Sequence, residues 1–190
     1  MCVELRLFLT IEDADLEFQN SMVKIVALGS LQELSVAETS VGPLQEGKEY
    51  TMRYWIALIL VKAGYARFYE DDSMTLLSLN KVHWRETKLQ IGRQISPLPE
   101  FFYSKLRRYL GELKQKATSN ASFAGEYNQA LRLAHDIVNC RLKKIANLAT
   151  YSQEESALKS LSIEERSIFE GVSAMVLEWT TKIMDMETSK

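Results

Sequence analysis

The chain has 190 residues, 46% hydrophobic and 25% charged, with a net charge of -2 at pH 7. That suffices for one domain or two small ones, and the charge excludes a basic nucleic-acid footprint over the whole protein. Two cysteines, Cys2 and Cys140, exclude a disulfide framework, and the longest apolar run, Tyr54 to Val61, excludes a helical membrane span of roughly 20 residues.

A soluble protein of a reducing, intracellular compartment is therefore expected. Charge is uneven along the chain. Residues 1–85 hold 8 Lys+Arg against 12 Asp+Glu, and residues 86–190 hold 15 against 13. Only the second half has a surplus of cations for a local, weak DNA contact; solvated helix faces explain the same surplus.

Val3, Leu5, Leu7 and Leu9 alternate with Glu4, Arg6, Phe8 and Thr10, which predicts a half-buried strand. Glu12, Asp13 and Asp15 follow as an acidic turn. Met22 to Leu28 is a second strand, ended by Gly29-Ser30. Residues 31–49 read as loop, with turn signals at Gly42-Pro43 and Gly47-Lys48 and room for a short strand near Ser35 to Val41. Thr51 is the expected cap of a helix from Met52 to about Lys62, and Gly64 supplies its left-handed stop. Trp55, Ile56, Leu58, Ile59, Leu60 and Val61 leave that helix little polar face, so it belongs in a core. Trp55, Leu58 and Gly64 are the expected core set of this small domain. Tyr65 to Tyr69 is a strand, Glu70 to Asp72 a turn, and Met74 to Leu79 a further strand or the start of a linker.

Residues 81–96 are polar and mixed, a connector or an irregular helix. Pro97-Leu98-Pro99 punctuates the chain. A helix then runs from about Glu100 to Lys116, with Phe101/Phe102, Leu106, Tyr109/Leu110 and Leu113 as its stripe. Ala117 to Gly125 is a small-residue loop or weakly helical bridge. From about Asn128, Ala130, Leu131, Ala134, Ile137, Val138, Leu142, Ile145, Leu148 and Ala149 recur at three- and four-residue steps over some twenty residues, roughly 30 Å of helix. Arg141 interrupts the stripe one turn after Ile137, which points to a buried or interfacial ion pair. Ser152 to Ser156 is a polar loop. Ser162 and Glu165 form a capping box, and Ile168, Phe169, Val172, Met175, Val176, Trp179 and Ile183 share one face of the last helix. The fold class expected is α+β: a small β-rich domain with one buried helix over 1–80, a linker over 81–99, and an all-α bundle over 100–190.

Nothing in the chain marks catalysis. His135 and Asp136 are helix neighbours about 100° apart and cannot face one substrate together. Cys2, Cys140, His83 and His135 lack zinc-site spacing, and the scattered glycines make no phosphate loop. No cofactor and no metal are expected. Asp71-Asp72, Glu154-Glu155 and Glu164-Glu165 read as turn and first-turn charges rather than general acids.

Two stretches resemble a known family. Arg141-Leu142-Lys143-Lys144-Ile145-Ala146-Asn147-Leu148-Ala149, then a short loop, then Leu161-Ser162-Ile163-Glu164-Glu165 and an amphipathic helix to Trp179, resemble the helical domain of GINS subunits. Met52-Arg53-Tyr54-Trp55-Ile56-Ala57-Leu58 through Gly64-Tyr65 is similar to the tryptophan-bearing helix of the family's small domain; Arg53 stands where the family often has Pro. Together the stretches cover about residues 45–70 and 128–183. The order, small domain first, resembles the archaeal two-three type, although eukaryotic paralogues share it.

The resemblance implies a non-catalytic scaffold: a heterotetramer, two copies each of this chain and a paralogous GINS subunit. It would bridge the MCM helicase and a RecJ-like or Cdc-type replication protein in a CMG-type assembly. It implies placement at an archaeal nucleoid or a eukaryotic nucleus. Candidate subunit-interface residues are Phe101, Phe102, Arg132, Arg141, Lys144, Phe169 and Trp179, with the core as the first expectation for the aromatic ones. The alternative function is a DNA-binding regulator, with Thr51 to Phe68 in a winged-helix-like domain.

Overall fold

A computed structural model of the chain describes residues 2–36, 39–69, 73–88, 95–151 and 155–184. The acidic pairs expected at Asp71-Asp72 and Glu154-Glu155 fall wholly or partly outside them. The chain divides into two compact units, residues 15–74 and residues 75–190 together with 1–14.

The chain opens with a helix, α1 (Cys2–Asn20), not with the expected strand and acidic turn. The first ten residues fit period two, but the longer window decides. Val3, Leu7, Ile11, Ala14 and Phe18 step by four and three, and Ala14 and Phe18 are buried.

In the small unit, β1 (Met22–Ala27) is the central strand. It pairs antiparallel with β4 (Glu49–Arg53) on one side and β5 (Ala66–Phe68) on the other, in the order β4-β1-β5. Val23, Ile25 and Ala27 are buried while Met22 and Lys24 are exposed, the alternation of a strand with one covered face. β2 (Leu34–Val36) and β3 (Thr39–Val41) form a separate hairpin. Leu31 and Leu44 exchange backbone hydrogen bonds of 3.0 and 2.8 Å and close the loop that carries it. At Gly42, with φ of 110°, a Cβ would stand 3.2 Å from the Gln32 carbonyl oxygen, so only glycine fits there.

α2 (Tyr54–Lys62) covers the sheet and buries Tyr54, Ile56, Ala57 and Leu60. It starts two residues later than expected. Thr51 is not its cap, because residues 49–53 are held in the ladder against Met22–Val26. The stop is as expected. Gly64 has φ of 79°, Gly64 N–H donates to the Val61 oxygen at 3.1 Å, and Tyr65 N–H donates to the Leu60 oxygen at 3.0 Å. These paired bonds satisfy the last carbonyls of the helix. Tyr54 stacks on Phe68 at 5.3 Å and tilts against Phe18 at 4.4 Å. Trp55 and Leu58, expected in the core, are half-buried. Gly64 is exposed and acts through its backbone rather than as a core residue.

The other unit is a helical bundle around α5 (Ala124–Tyr151), which packs against α3 (Leu76–Lys88), α4 (Phe102–Ser119) and α7 (Ile163–Met184). α5 has 28 residues and so spans about 42 Å. Its buried positions are Ala130, Ala134, Ile137, Arg141, Ile145 and Leu148, an unbroken stripe in which one member is a cation. A 3-10 turn (Ala121–Phe123), capped by the Asn120 side chain accepting from Ser122 N–H at 3.0 Å, joins α4 to α5. The short α6 (Glu155–Leu158) lies between α5 and α7, where a polar loop is expected from the sequence.

α3 decides two further readings. Leu76–Lys88 is one helix, which overturns a strand over Met74 to Leu79, and residues 81–88 take the helical one of the two readings offered for 81–96. Thr75 N–H donates to Ser78 Oγ at 2.9 Å and Ser78 N–H donates to Thr75 Oγ1 at 3.2 Å, a reciprocal start signal. The buried face of α3 is Leu79, Val82 and Glu86. Its third member is a carboxylate, so apolar periodicity fades before the helix is long enough to recognise.

Candidate functional site

Arg141 and Glu165 are each 1% exposed, and together they centre a buried ionic cluster of the bundle. Arg141 is carried on α5 by the stripe just described. Glu165 sits in the first turn of α7. There Ser162 N–H donates to Glu165 Oε2 at 3.1 Å and Glu165 N–H donates to Ser162 Oγ at 3.3 Å, so the capping box read from the sequence forms. The guanidinium grips the carboxylate with two bonds, Nε to Oε1 and Nη2 to Oε2, both 2.7 Å. Glu165 thus caps its own helix and neutralises Arg141. Parallel two-bond geometry of this kind is available to arginine and not to lysine.

The cluster reaches three more segments. Arg141 Nη1 donates to the Ser96 carbonyl at 2.6 Å and to Glu86 Oε1 on α3 at 3.3 Å. Lys144, one turn on, donates to Glu86 Oε2 at 2.7 Å and to the Glu86 carbonyl at 3.2 Å. Ser96 Oγ donates to Glu86 Oε1 at 2.9 Å, and the Tyr103 hydroxyl on α4 donates to Glu165 Oε1 at 2.7 Å. Two cations meet two carboxylates, so the buried group has no formal net charge. Buried charge is tolerated only under such pairing and saturation.

The electrostatics follow from that packing. Burial alone would raise the Glu86 carboxyl, yet the Lys144 hydrogen bond, the Arg141 charge and the Ser96 hydroxyl outweigh it and hold the group below the ordinary glutamate range. Burial alone would weaken Arg141's hold on its proton; the Glu165 hydrogen bond and charge, with Glu86, more than reverse this. The Tyr103 phenol is pushed upward, first by burial and then by the Glu165 carboxylate. Tyr109 donates to Glu126 at 3.2 Å and ties α4 to α5; burial, then the Glu126 charge, push its phenol up to about 12. Glu86 and Arg141 are therefore held in their charged forms, and Tyr103 and Tyr109 in their neutral ones, and the cluster acts as a clamp.

Beside the clamp lies an apolar cluster of Ile95, Ile145, Leu148, Leu161 and Phe169. It fastens the first part of α7. The second part is different: Met175 is 57% exposed, Trp179 65% and Ile183 58%, with Leu177 and Met184 also open. Met175, Trp179 and Ile183 lie at steps of about 40° and share one face, whereas Leu177 lies about 160° from Met175; no described residue of the chain covers that face.

The candidate interface residues are thereby sorted. Phe102, Arg141 and Phe169 are buried within the chain, where they pack inside the bundle. Lys144 is committed to Glu86 and largely buried. Phe101 is half-buried and turns the chain into α4 with a left-handed backbone, φ of 53°. Arg132 is exposed. Trp179, expected first in the core, is on the surface. What sequence reasoning missed is Glu86, Ser96, Tyr103 and the role of Glu165 as counterion. The interrupted stripe at Arg141 signals a buried partner, but no local pattern says which carboxylate closes the pair, since Glu86 is 55 residues away.

Other sequence candidates take minor places. His83 Nε2 lies 3.5 Å from Asp136 Oδ2 and links α3 to α5. His135 is exposed and Cys140 half-buried. Among the described residues no three His, Cys, Asp or Glu side chains gather to hold a metal, and no helix is long and apolar enough to cross a membrane. On α2 the exposed residues are Ile59 and Lys62, a single polar side chain, whereas a helix reading a DNA groove presents several.

Residues 73–184 match the family model Sld5, described as the GINS complex protein helical bundle domain. The chain belongs to the GINS family. The matched span is α3 through α7, the bundle in which the clamp and the open face of α7 reside. GINS proteins are non-catalytic subunits of a DNA-replication complex, and a GINS bundle implies association with other GINS subunits. No curated protein matches the chain.

Proposed function

We propose that this chain is a non-catalytic structural subunit of the two-three type, and that it assembles with a paralogous GINS subunit into a heterotetramer through its helical bundle. The observation that carries the reading is the open face of α7, Met175, Trp179 and Ile183, on a helix whose first turns are locked by Arg141 and Phe169. Large contiguous apolar patches mark interaction sites, and exposed tryptophan is favoured as an anchor at protein interfaces. The clamp sets the direction in which that face is presented. Phe101 and Arg132 would lie at the rim of the same assembly.

Scaffolding of this kind works by stabilising one conformation of a larger machine through differential contacts. The partners that fit are the MCM helicase and a RecJ-like or Cdc-type replication protein in a CMG-type assembly. The working place would be an archaeal nucleoid or a eukaryotic nucleus. The small unit would serve as a docking module, and the cations at Lys105, Arg107, Arg108 and Lys143 would add at most weak DNA contact. The winged-helix alternative has no observation in its favour.

Light scattering on the chain alone and mixed with a candidate paralogue tests the reading. A stable mixed tetramer that Trp179→Ala disrupts supports it. A well-behaved monomer or homodimer indifferent to the paralogue overturns it.

A further inference from the structure

β4 lies at the edge of the small sheet. It pairs with β1, and among the described residues no strand pairs with its other side. Which groups face outward follows from the ladder. Ala27 N–H donates to the Lys48 oxygen and Tyr54 N–H to the Ser21 oxygen. In an antiparallel pair alternate residues exchange bonds, so Lys48, Tyr50, Met52 and Tyr54 face β1. The N–H and C=O groups of Glu49 and Thr51 and the N–H of Arg53 therefore point away from it, while the Arg53 C=O, at the N-cap of α2, opens that helix. These three residues are exposed, whereas Tyr50 and Met52 are half-buried.

A cavity of about 360 Å³ lies along this edge, lined among others by Val41, Leu44, Tyr50, Met52, Arg53 and Ile56. Tyr50 and Met52 share the covered face of the sheet with their partners Ile25 and Val23. A strand laid along the edge would therefore point alternate side chains into the cavity, beside Tyr50 and Met52. The volume alone would suit a small apolar molecule. The outward row of donors and acceptors at strand spacing is complementary only to an extended backbone. The ends of the edge differ in charge: Arg53, whose guanidinium donates to Asn20 Oδ1 at 3.2 Å, stands at one end, and Glu49 at the other. Such an edge selects an occupant with opposite ends.

We infer that the free edge of β4 and its cavity receive an extended segment of a partner protein by strand addition. The segment has large apolar residues at alternate positions, an acidic residue beside Arg53 and a basic one beside Glu49. This site lies outside the bundle and stands whether or not the assembly reading holds.

The test is selection of a displayed library of random nine-residue peptides on the full chain, followed by binding of the enriched peptides made synthetically. The enriched peptides should show alternate apolar residues and opposite end charges. They should slow hydrogen exchange at the amides of Glu49, Thr51 and Arg53. Thr51→Pro removes one outward donor without touching the β1 ladder; it should leave the circular dichroism unchanged and weaken binding about tenfold. If that variant does not fold, peptides N-methylated at the bonding positions make the same test on the unaltered protein and should bind at least as weakly. The inference is overturned by a library without enrichment, or by binders indifferent to both changes. A concentration-dependent dimer that Thr51→Pro abolishes also overturns it, since the edge would then pair with a second copy.

Discussion

The two halves of α7 have the same kind of sequence and opposite fates. Ile168, Phe169 and Val172 continue at helical spacing into Met175, Val176, Trp179 and Ile183. Phe169 is 7% exposed and Trp179 65%. The first half enters the bundle because Glu165 is gripped by Arg141 and because Leu161 and Phe169 close on Ile145 and Leu148. In the second half Met175, Trp179 and Ile183 stay exposed. A stripe thus tells which side of a helix avoids water. It does not tell whether the cover comes from the same chain or from another.

Substitutions along this helix and its clamp sharpen the contrast. Arg141→Ala should be the most damaging, costing about 3–5 kcal/mol in urea unfolding, since it leaves Glu165 and Glu86 buried with too little positive charge. Phe169→Ala should cost a similar ~3–5 kcal/mol by emptying the cluster beside the clamp. A loss under ~1 kcal/mol for either would mean that the first half of α7 is not fastened as described. Glu86→Gln should cost less, about 1–3 kcal/mol, because the amide keeps the shape and loses the charge.

The same carboxylate sets a pH dependence. Its folded value lies below its unfolded one, so its contribution is complete above the unfolded value, about 4.3, and is lost as pH falls through the folded value. The urea midpoint should fall as the pH drops below that unfolded value, and Glu86→Gln should fall less steeply; equal slopes would remove Glu86 from the account. Ser162→Ala should cost about 1 kcal/mol by unmaking the cap. Trp179→Ala should be the mildest in the isolated chain, within about 0.5 kcal/mol, and should reveal itself only in mixed-subunit assembly.

Several elements of both units were legible because their signals are local. The Ser162–Glu165 capping box and the Gly64 stop stand where the sequence places them, and so does the α5 stripe except at Leu142, which is 39% exposed while its neighbour Arg141 is buried. Arg141 was legible as an anomaly in its stripe. The failures are equally physical. Residues 3–9 satisfy two periods at once, and only their continuation to Phe18 breaks the tie. Thr51 looks like a cap until β1 claims it for a ladder. α3 hides because the residue completing its buried face is Glu86.

By itself, then, the sequence determined the α+β class, the helices α2, α4, α5 and α7 with the cap of α7 and the stop of α2, and a family resemblance that the match over residues 73–184 supports. The tertiary structure alone decided which carboxylates neutralise Arg141, which of the candidate interface residues are spent inside the chain, and where α7 runs out of cover. Helical period and capping depend on neighbours a few residues apart. Burial and charge pairing depend on residues brought together from 24 to 58 positions away, and no local pattern encodes that meeting.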